Sequence, residues 1–337
     1  MEQELHPFAK FIQILARGKT KTRAFTVEES QEAMAMILRG DAKPEQIGAF
    51  LMLLRLKEET PAEIAGFTLG TRDTFDLPAS IPAVDVDWSS YAGKRRQLPW
   101  FILSALLLAQ NGFKVFMHGT GGHTPGRIYT RETLQELGFP VARSLDQAID
   151  HLAANNFAYV PLEVLSPKLR ELIEMRPSFG LRSPVHSFAR MLNPFNAPVM
   201  MQGIFHRGFM DIHAGASLIL DQPVTTVFRG EGGEIERRPN KPTVARTAAN
   251  GEITNEEWPA LLPDGHAAAD EEMDTQNLIA IWRGDETNEY AETSITGTLA
   301  IALKSMGQAE TVEMAQKMAQ NMWVNRDRSS LPVPSTC

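Results

Sequence analysis

The stretch LPWFILSALLLAQNGFKVFM, residues 98–117, predicts a helix over Leu98 to Gln110 and a buried strand over Lys114 to Met117. Its apolar run, Trp100 to Ala109 with Ser104 inside, is far short of the roughly 18 residues a membrane helix needs. The same alternation extends outward. Val84-Asp-Val86 reads as a short strand; Thr130 to Leu137, stopped by Gly138, and Asp146 to Ala154 read as helices. Phe157 to Val160, Gly203-Ile-Phe205 and Val224 to Phe228 read as further strands. Strands separated by helices of this length imply a parallel sheet covered on both faces.

The first seventy residues follow a different grammar. Phe8, Phe11, Ile12 and Leu15 form one helical stripe ending at Arg17-Gly18. A second helix starts at Thr26, whose spacing to Glu29 is that of a capping box, and stops at Arg39-Gly40. Pro44 opens a third and Thr60-Pro61 a fourth, each with proline in the first turn. The linker Leu77-Pro-Ala-Ser-Ile-Pro82 marks a boundary, and Ile279 to Trp323 is helical again. The expected fold class is α/β, with a small all-helical lobe and a larger α/β lobe built on a mostly parallel central sheet. The acidic segment near 247–275 reads as an irregular surface excursion.

Composition narrows the function. The chain has 337 residues, 43% hydrophobic and 22% charged, as expected of a globular protein of about two lobes. The single cysteine, Cys337, excludes a disulfide framework or a cysteine-based zinc cluster, and the acidic start carries no secretory pattern. A cytoplasmic protein is the expectation. Net charge is −8, but eight acids lie between Thr247 and Trp282, where there is no lysine or arginine. Without those eight, 33 acidic residues face 33 basic ones. The positives cluster at Lys10, Arg17, Lys19, Lys21 and Arg23, and again at Lys94-Arg95-Arg96. Because charges are screened over about 8–10 Å, an acidic protein can still carry a basic groove.

Among local motifs, Gly18-Lys19-Thr20 lacks the preceding glycine and strand of a phosphate-binding P-loop and is rejected. Gly119-Thr-Gly121-Gly122 follows a strand, where backbone N–H groups meet phosphates in other folds. His118, His123, His206 and His213 lack the spacing of metal ligands. Glu231, Glu234 and Glu236 follow a strand and are candidates to hold Mg²⁺ beside phosphates. Lys94-Arg95-Arg96, just before the helix near Pro99, stacks like charges at a positive helix end, which favours an anion there.

From about residue 8 to 325 the chain resembles anthranilate phosphoribosyltransferases. The resemblance rests on Met175-Arg176-Pro-Ser-Phe-Gly180-Leu-Arg182 continuing to Asn193-Pro194, on Leu38-Arg-Gly40 through Phe67, and on His118-Gly119 followed by Leu134-Gln-Glu-Leu-Gly138. It implies a helical lobe of residues 1–77 with about 165–192 that carries a homodimer contact, and an α/β lobe of 78–164 with about 193–337. It also implies a phosphoribosyl pyrophosphate site. There Arg176 would meet the acceptor, the turn His118, Gly119, Thr120 and Gly121 would hold phosphate, and Mg²⁺ would be the cofactor if the chain is active.

Several motif positions depart from the family. The glycine-rich loop expected to cradle pyrophosphate is replaced by Ser89-Ser-Tyr-Ala-Gly93-Lys94-Arg95-Arg96, and the expected Asp-Glu metal pair is Ile235-Glu236. These departures resemble a paralogous subfamily that binds nucleic acid without sequence preference. The leading expectation is therefore a basic groove for the DNA or RNA backbone needing no cofactor. Lys94, Arg95 and Arg96 would meet phosphates, and Arg17, Lys19, Lys21, Arg23 and Arg127 would extend the track. The alternative is phosphoribosyl transfer to anthranilate or a related aromatic acceptor. No catalytic residue is assigned.

Overall fold

The computed structural model describes residues 4–18, 20–262, 270 and 273–331. Four helices open the chain: α1 (Ala9–Ala16), α2 (Val27–Arg39), α3 (Pro44–Lys57) and α4 (Pro61–Arg72). Both expected capping boxes form. Thr26 Oγ1 accepts the Glu29 N–H while the Glu29 carboxylate accepts the Thr26 N–H, and Thr60 and Glu63 repeat the exchange. Gly66 and Gly70 let α4 lie on α2, since a Cβ at either would stand 2.3 Å from a backbone oxygen of α2. Phe8, Phe11, Phe25, Phe50, Phe67 and Phe188 form a chain of ring contacts through this lobe.

The α/β region then alternates β1 (Val86–Ser90), α5 (Phe101–Gln110), β2 (Val115–Gly119), α6 (Thr130–Glu136), α7 (Leu145–Asn155) and β3 (Phe157–Pro161). Four short helices follow, α8 (Leu162–Leu165), α9 (Pro167–Glu174), α10 (Arg176–Phe179) and α11 (Val185–Phe188). The chain continues through β4 (Val199–Ile204), α12 (Arg207–Ile219), β5 (Val224–Arg229), β6 (Thr243–Ala249) and β7 (Glu252–Trp258). It closes with α13 (Gln276–Arg283), α14 (Glu289–Ser305) and α15 (Val312–Val324).

The sheet runs β3-β2-β1-β4-β5-β6-β7, parallel through β5 and antiparallel thereafter. Side chains alternate between two cores. Val115, Met117, Phe157 and Tyr159 join α5, α13, α14 and α15 on one face. Phe116, Ala158, Val160 and Met200 join the helical lobe on the other. The helix expected from residue 98 begins at Phe101 and is buried through nearly its whole length, which explains its uniform apolarity. Arg72 ties α4 to the segment after α11 by donating to the carbonyls of Met191 and Leu192.

Two expectations need correction. The first strand occupies Val86–Ser90 rather than residues 84–86, so Ser89 and Ser90 belong to the sheet and not to the loop. The segment expected to be irregular from residue 247 instead contains most of the β6–β7 hairpin, turning at Asn250-Gly251 with φ of 52° and 80°. Of the acids in that segment, Asp264, Glu271 and Glu272 lie outside the described residues.

Candidate functional site

Strand order reverses between β1 and β4, which are neighbours although their chains leave in opposite directions across the sheet. In open α/β sheets such a switch point leaves a crevice beyond the carboxyl ends of the strands. Three loops meet there: Tyr91–Arg96 after β1, the turn after β2, and residues 230–238 after β5.

The loop after β1 is held from both sides. Its Ala92 and Gly93 N–H groups donate to Glu234 Oε2 at 3.0 and 2.7 Å. Their carbonyls accept from Arg127 Nη1 at 2.7 and 3.1 Å. Gly93, at φ +66°, is the glycine this turn requires, because a Cβ would also meet the Tyr129 ring at 2.8 Å. Lys94 pairs its backbone with Ile128 in both directions at 2.8 Å. Its side chain then turns inward, with Nζ 2.5 Å from Glu236 Oε1 and 3.8 Å from Glu231 Oε2. Glu236 uses its other oxygen to accept the Phe101 N–H at the start of α5, at 2.9 Å. Burial pushes the Glu236 carboxyl up, against the pull of Lys94.

The basic triplet is therefore split. Lys94 is 1% exposed and spent inside the protein, while Arg95 and Arg96 are exposed. The anion expected at the helix start is real, but it is the chain's own Glu236. Arg127 is half-buried and braces the loop instead of extending a rim. Arg17 and Lys21 are exposed on the helical lobe, Arg23 is paired with Glu29 at 2.6 Å, and Lys19 lies outside the described residues.

The turn after β2 is likewise committed to the fold. His118 is fully buried, with Nδ1 2.7 Å from the Tyr91 hydroxyl and Nε2 3.2 Å from Asp87 Oδ1. Gly119 lies against the Ser90 carbonyl, and Arg170 donates to Thr120 Oγ1 and to the Gly121 carbonyl. Arg176 Nη1 donates to the His123 carbonyl and Thr124 Oγ1, each at 2.6 Å.

The three candidate metal carboxylates do not converge. Glu234 faces amides, Glu236 faces an ammonium, and among the described residues no group of three or more acids, histidines or cysteines is arranged to hold a metal. An Mg²⁺ ion does not fit these residues as they stand, because the Lys94 ammonium fills the space beside Glu236.

Sequence reasoning singled out Arg127 and Arg176 separately but gave no role to Arg182 and Arg190, which lie beside them. Burial, and then Arg190, Arg127 and Arg176 beside it, pull the Arg182 guanidinium down to about 10. None of these four forms a salt bridge among the described residues. Arg182 and Arg190 line a cavity of about 130 Å³ between the lobes, together with Glu59, Ser183, His186 and His213. Glu59 Oε2, Ser183 Oγ, His186 Nε2 and His213 Nε2 are buried there without partners. Burial pushes Glu59 up and holds His186 at about 2 and His213 at about 3, so the arginines carry the cavity's positive charge. The signal was present in the sequence, which has no acid between Glu174 and Asp211 but carries Arg176, Arg182, Arg190 and Arg207.

A larger cleft of about 850 Å³ lies between α12 and β5–β7, lined by Arg207, Arg229, Arg238, Lys241 and Arg246, among others. Phe205, 45% exposed, lines the smaller cavity and has the Arg229 guanidinium 5.7 Å from its ring centre, so the two basic spaces adjoin. No helix among the described residues is long and apolar enough to cross a membrane.

Residues 9–75 match the helical bundle domain of a glycosyl transferase family. An uncharacterized protein of Aquifex aeolicus is 28% identical over 235 residues, 69% of this chain and 71% of that protein. An anthranilate phosphoribosyltransferase of Sulfolobus acidocaldarius is 25% identical over 231 residues, 68% of this chain and 67% of that enzyme. Among solved structures, the anthranilate phosphoribosyltransferase of Thermus thermophilus superposes with a TM-score of 0.76 at 17% identity, over 95% of this chain and 94% of that one. The Saccharomyces cerevisiae enzyme in complex with PRPP and Mg gives 0.73 at 14% identity, over 94% and 93%. With the sheet order and helical lobe described above, these likenesses identify the fold as the one anthranilate phosphoribosyltransferases adopt.

Proposed function

We propose that the inter-lobe cleft is a phosphoribosyl-transfer site taking phosphoribosyl pyrophosphate and an aromatic carboxylate of the anthranilate class. The observation that carries this reading is the inter-lobe cavity lined by Arg182 and Arg190, neither of which is salt-bridged to a carboxylate among the described residues. Both substrates are anions, and guanidinium groups suit phosphate and carboxylate geometry. In the transfer, the acceptor amine forms a bond to the ribose anomeric carbon as the bond to the diphosphate oxygen breaks. The diphosphate leaves with the electron pair and the amine loses a proton. Fixed cations and close positioning lower that barrier. The named relatives support the same reading.

The test is incubation with phosphoribosyl pyrophosphate and anthranilate, following anthranilate fluorescence and diphosphate release. Consumption is expected, with kcat/KM lowered about tenfold or more in Arg182→Ala. No consumption and no binding of either compound would refute the assignment.

A second reading, binding of a nucleic-acid backbone, is favoured by one observation of its own. The smaller cavity continues past the exposed Phe205 to Arg229 and the larger basic cleft, a longer path than one diphosphate occupies. Titration with single- and double-stranded oligonucleotides at several salt concentrations separates the two readings.

A further inference from the structure

We propose that the Lys94 ammonium is the permanent cation of this site, occupying the position beside Glu236 and Glu231 that a divalent metal would take, so that phosphate-bearing ligands bind here without Mg²⁺. For its ligand the inference rests on the phosphate-binding reading above; for the cation it stands on the geometry alone.

Three observations carry it. Lys94 Nζ lies 2.5 Å from Glu236 Oε1 and 3.8 Å from Glu231 Oε2, so one cation already serves two carboxylates. Its position is fixed from the backbone, because the two-way pairing with Ile128 pins residue 94 and aims the side chain inward, where it is 1% exposed. Two further carboxylate oxygens are already used: Glu236 Oε2 accepts the Phe101 N–H at the start of α5, and Glu234 Oε2 accepts the Ala92 and Gly93 amides. A divalent ion needs several oxygen ligands at about 2.0–2.6 Å. It would have to displace the ammonium or share a buried site with it, and two adjacent cations in a low-dielectric pocket repel strongly.

The inference gives the β1 loop a definite chemistry. A family position that calls for bare backbone holds here a long side chain whose charge replaces that of the ion. The cation at this position is then independent of metal concentration, and its charge is balanced inside the protein by Glu236.

The decisive experiment is Mn²⁺ titration, read by electron paramagnetic resonance of the free ion, on wild type, Glu236→Gln, Lys94→Ala and the Lys94→Ala/Glu236→Gln double variant. Wild type is expected to take up no Mn²⁺ that Glu236→Gln removes. Lys94→Ala is expected to gain one ion per chain, bound at least about tenfold more tightly than by wild type, and the double variant to lose it. Uptake by wild type that Glu236→Gln abolishes overturns the proposal, as does a folded Lys94→Ala with no gain. Should Lys94→Ala unfold because Glu236 is left unpaired, refolding on addition of Mn²⁺ supports the proposal, and failure to refold counts against it. Calorimetric titration of wild type with inorganic phosphate, in EDTA and in Mg²⁺, is expected to give the same affinity within about twofold. A requirement for Mg²⁺ overturns the inference while leaving the phosphate-binding reading intact. Absence of phosphate binding in both buffers defeats that reading and leaves the Mn²⁺ result to decide the cation.

Discussion

Gly93 donates its backbone N–H to Glu234 Oε2 at 2.7 Å, joining the loop after β1 to a carboxylate 141 residues further along the chain. Ala92 donates to the same oxygen, and Glu234 Oε1 accepts the Ile235 N–H at 3.1 Å. Consecutive amides pointing into one space form an anion nest, and here its anion is a side chain.

Removing that carboxylate leaves buried donors without a partner, each worth about 1–3 kcal/mol. Glu234→Ala should therefore lose about 2–4 kcal/mol in denaturant unfolding. The emptied nest should then accept an outside anion. Millimolar phosphate is expected to raise the melting temperature of Glu234→Ala more than that of wild type, and equal increments in both would show that the amides do not bind anions.

Two glycines predict opposite signs for the same substitution. At Gly119 a Cβ would stand 1.9 Å from the Ser90 carbonyl oxygen, in the parallel pair β1–β2. Backbone meets backbone there, so Gly119→Ala should cost about 3 kcal/mol or more, or abolish soluble expression. At Gly208, in the first turn of α12, a Cβ meets nothing within 4 Å. Gly208→Ala should stabilise by about 0.4–1 kcal/mol through the unfolded chain. Thermal unfolding of the pair checks both signs.

Much of this architecture is legible from local pattern, and what is not has a physical reason. The capping boxes of Thr26 and Thr60 act within one turn, so residue spacing alone reveals them. The first strand escapes the pattern because Asp87, Ser89 and Ser90 are polar yet buried. Their partners lie across the sheet and on α6: Ser89 Oγ donates to the Met201 carbonyl, Ser90 Oγ lies 2.7 Å from Thr130 Oγ1, and Asp87 Oδ1 meets His118 while its Oδ2 stays unpartnered. The β6–β7 hairpin is hidden because the edge strand, mostly exposed, needs no apolar stripe. At the site the limit is distance along the chain. A run of three cations reads as one unit, but Glu236, 142 residues from Lys94, pulls the first one inside while its two neighbours stay outside.

The buried histidines predict acid sensitivity. Burial, with nearby arginines adding to it, holds His123 at about 4 and His186 at about 2, and burial with Arg190 holds His213 at about 3. Each folded value lies below the ordinary 6.5, so the unfolded chain binds more protons. The stabilisation is fully present above about pH 6.5 and falls as pH drops toward the folded values, by up to about 1.4 kcal/mol per pH unit for each histidine. Urea unfolding should lose stability steadily from pH 7 to 5, and His213→Gln should flatten the slope by about one proton. A flat profile over that interval would contradict the placement of these rings.

Splitting the basic triplet changes what salt dependence should report if an oligonucleotide binds beside it. Each lysine or arginine contacting a phosphate contributes about 0.7–0.9 to the slope of log K against log salt. Arg95 and Arg96 are exposed and available for such contacts, whereas the Lys94 ammonium is buried against Glu236. Arg95→Ala/Arg96→Ala should therefore lower the slope by up to about 2. Adding Lys94→Met to the double variant should change affinity only as far as it changes folding, leaving the slope where it was. A further drop of nearly one unit on removing Lys94, in a variant that still unfolds cooperatively, would mean that the ammonium leaves Glu236 to meet a phosphate. An undiminished slope in the double variant would move any backbone track away from this loop, toward Arg207, Arg229 and Lys241 in the larger cleft.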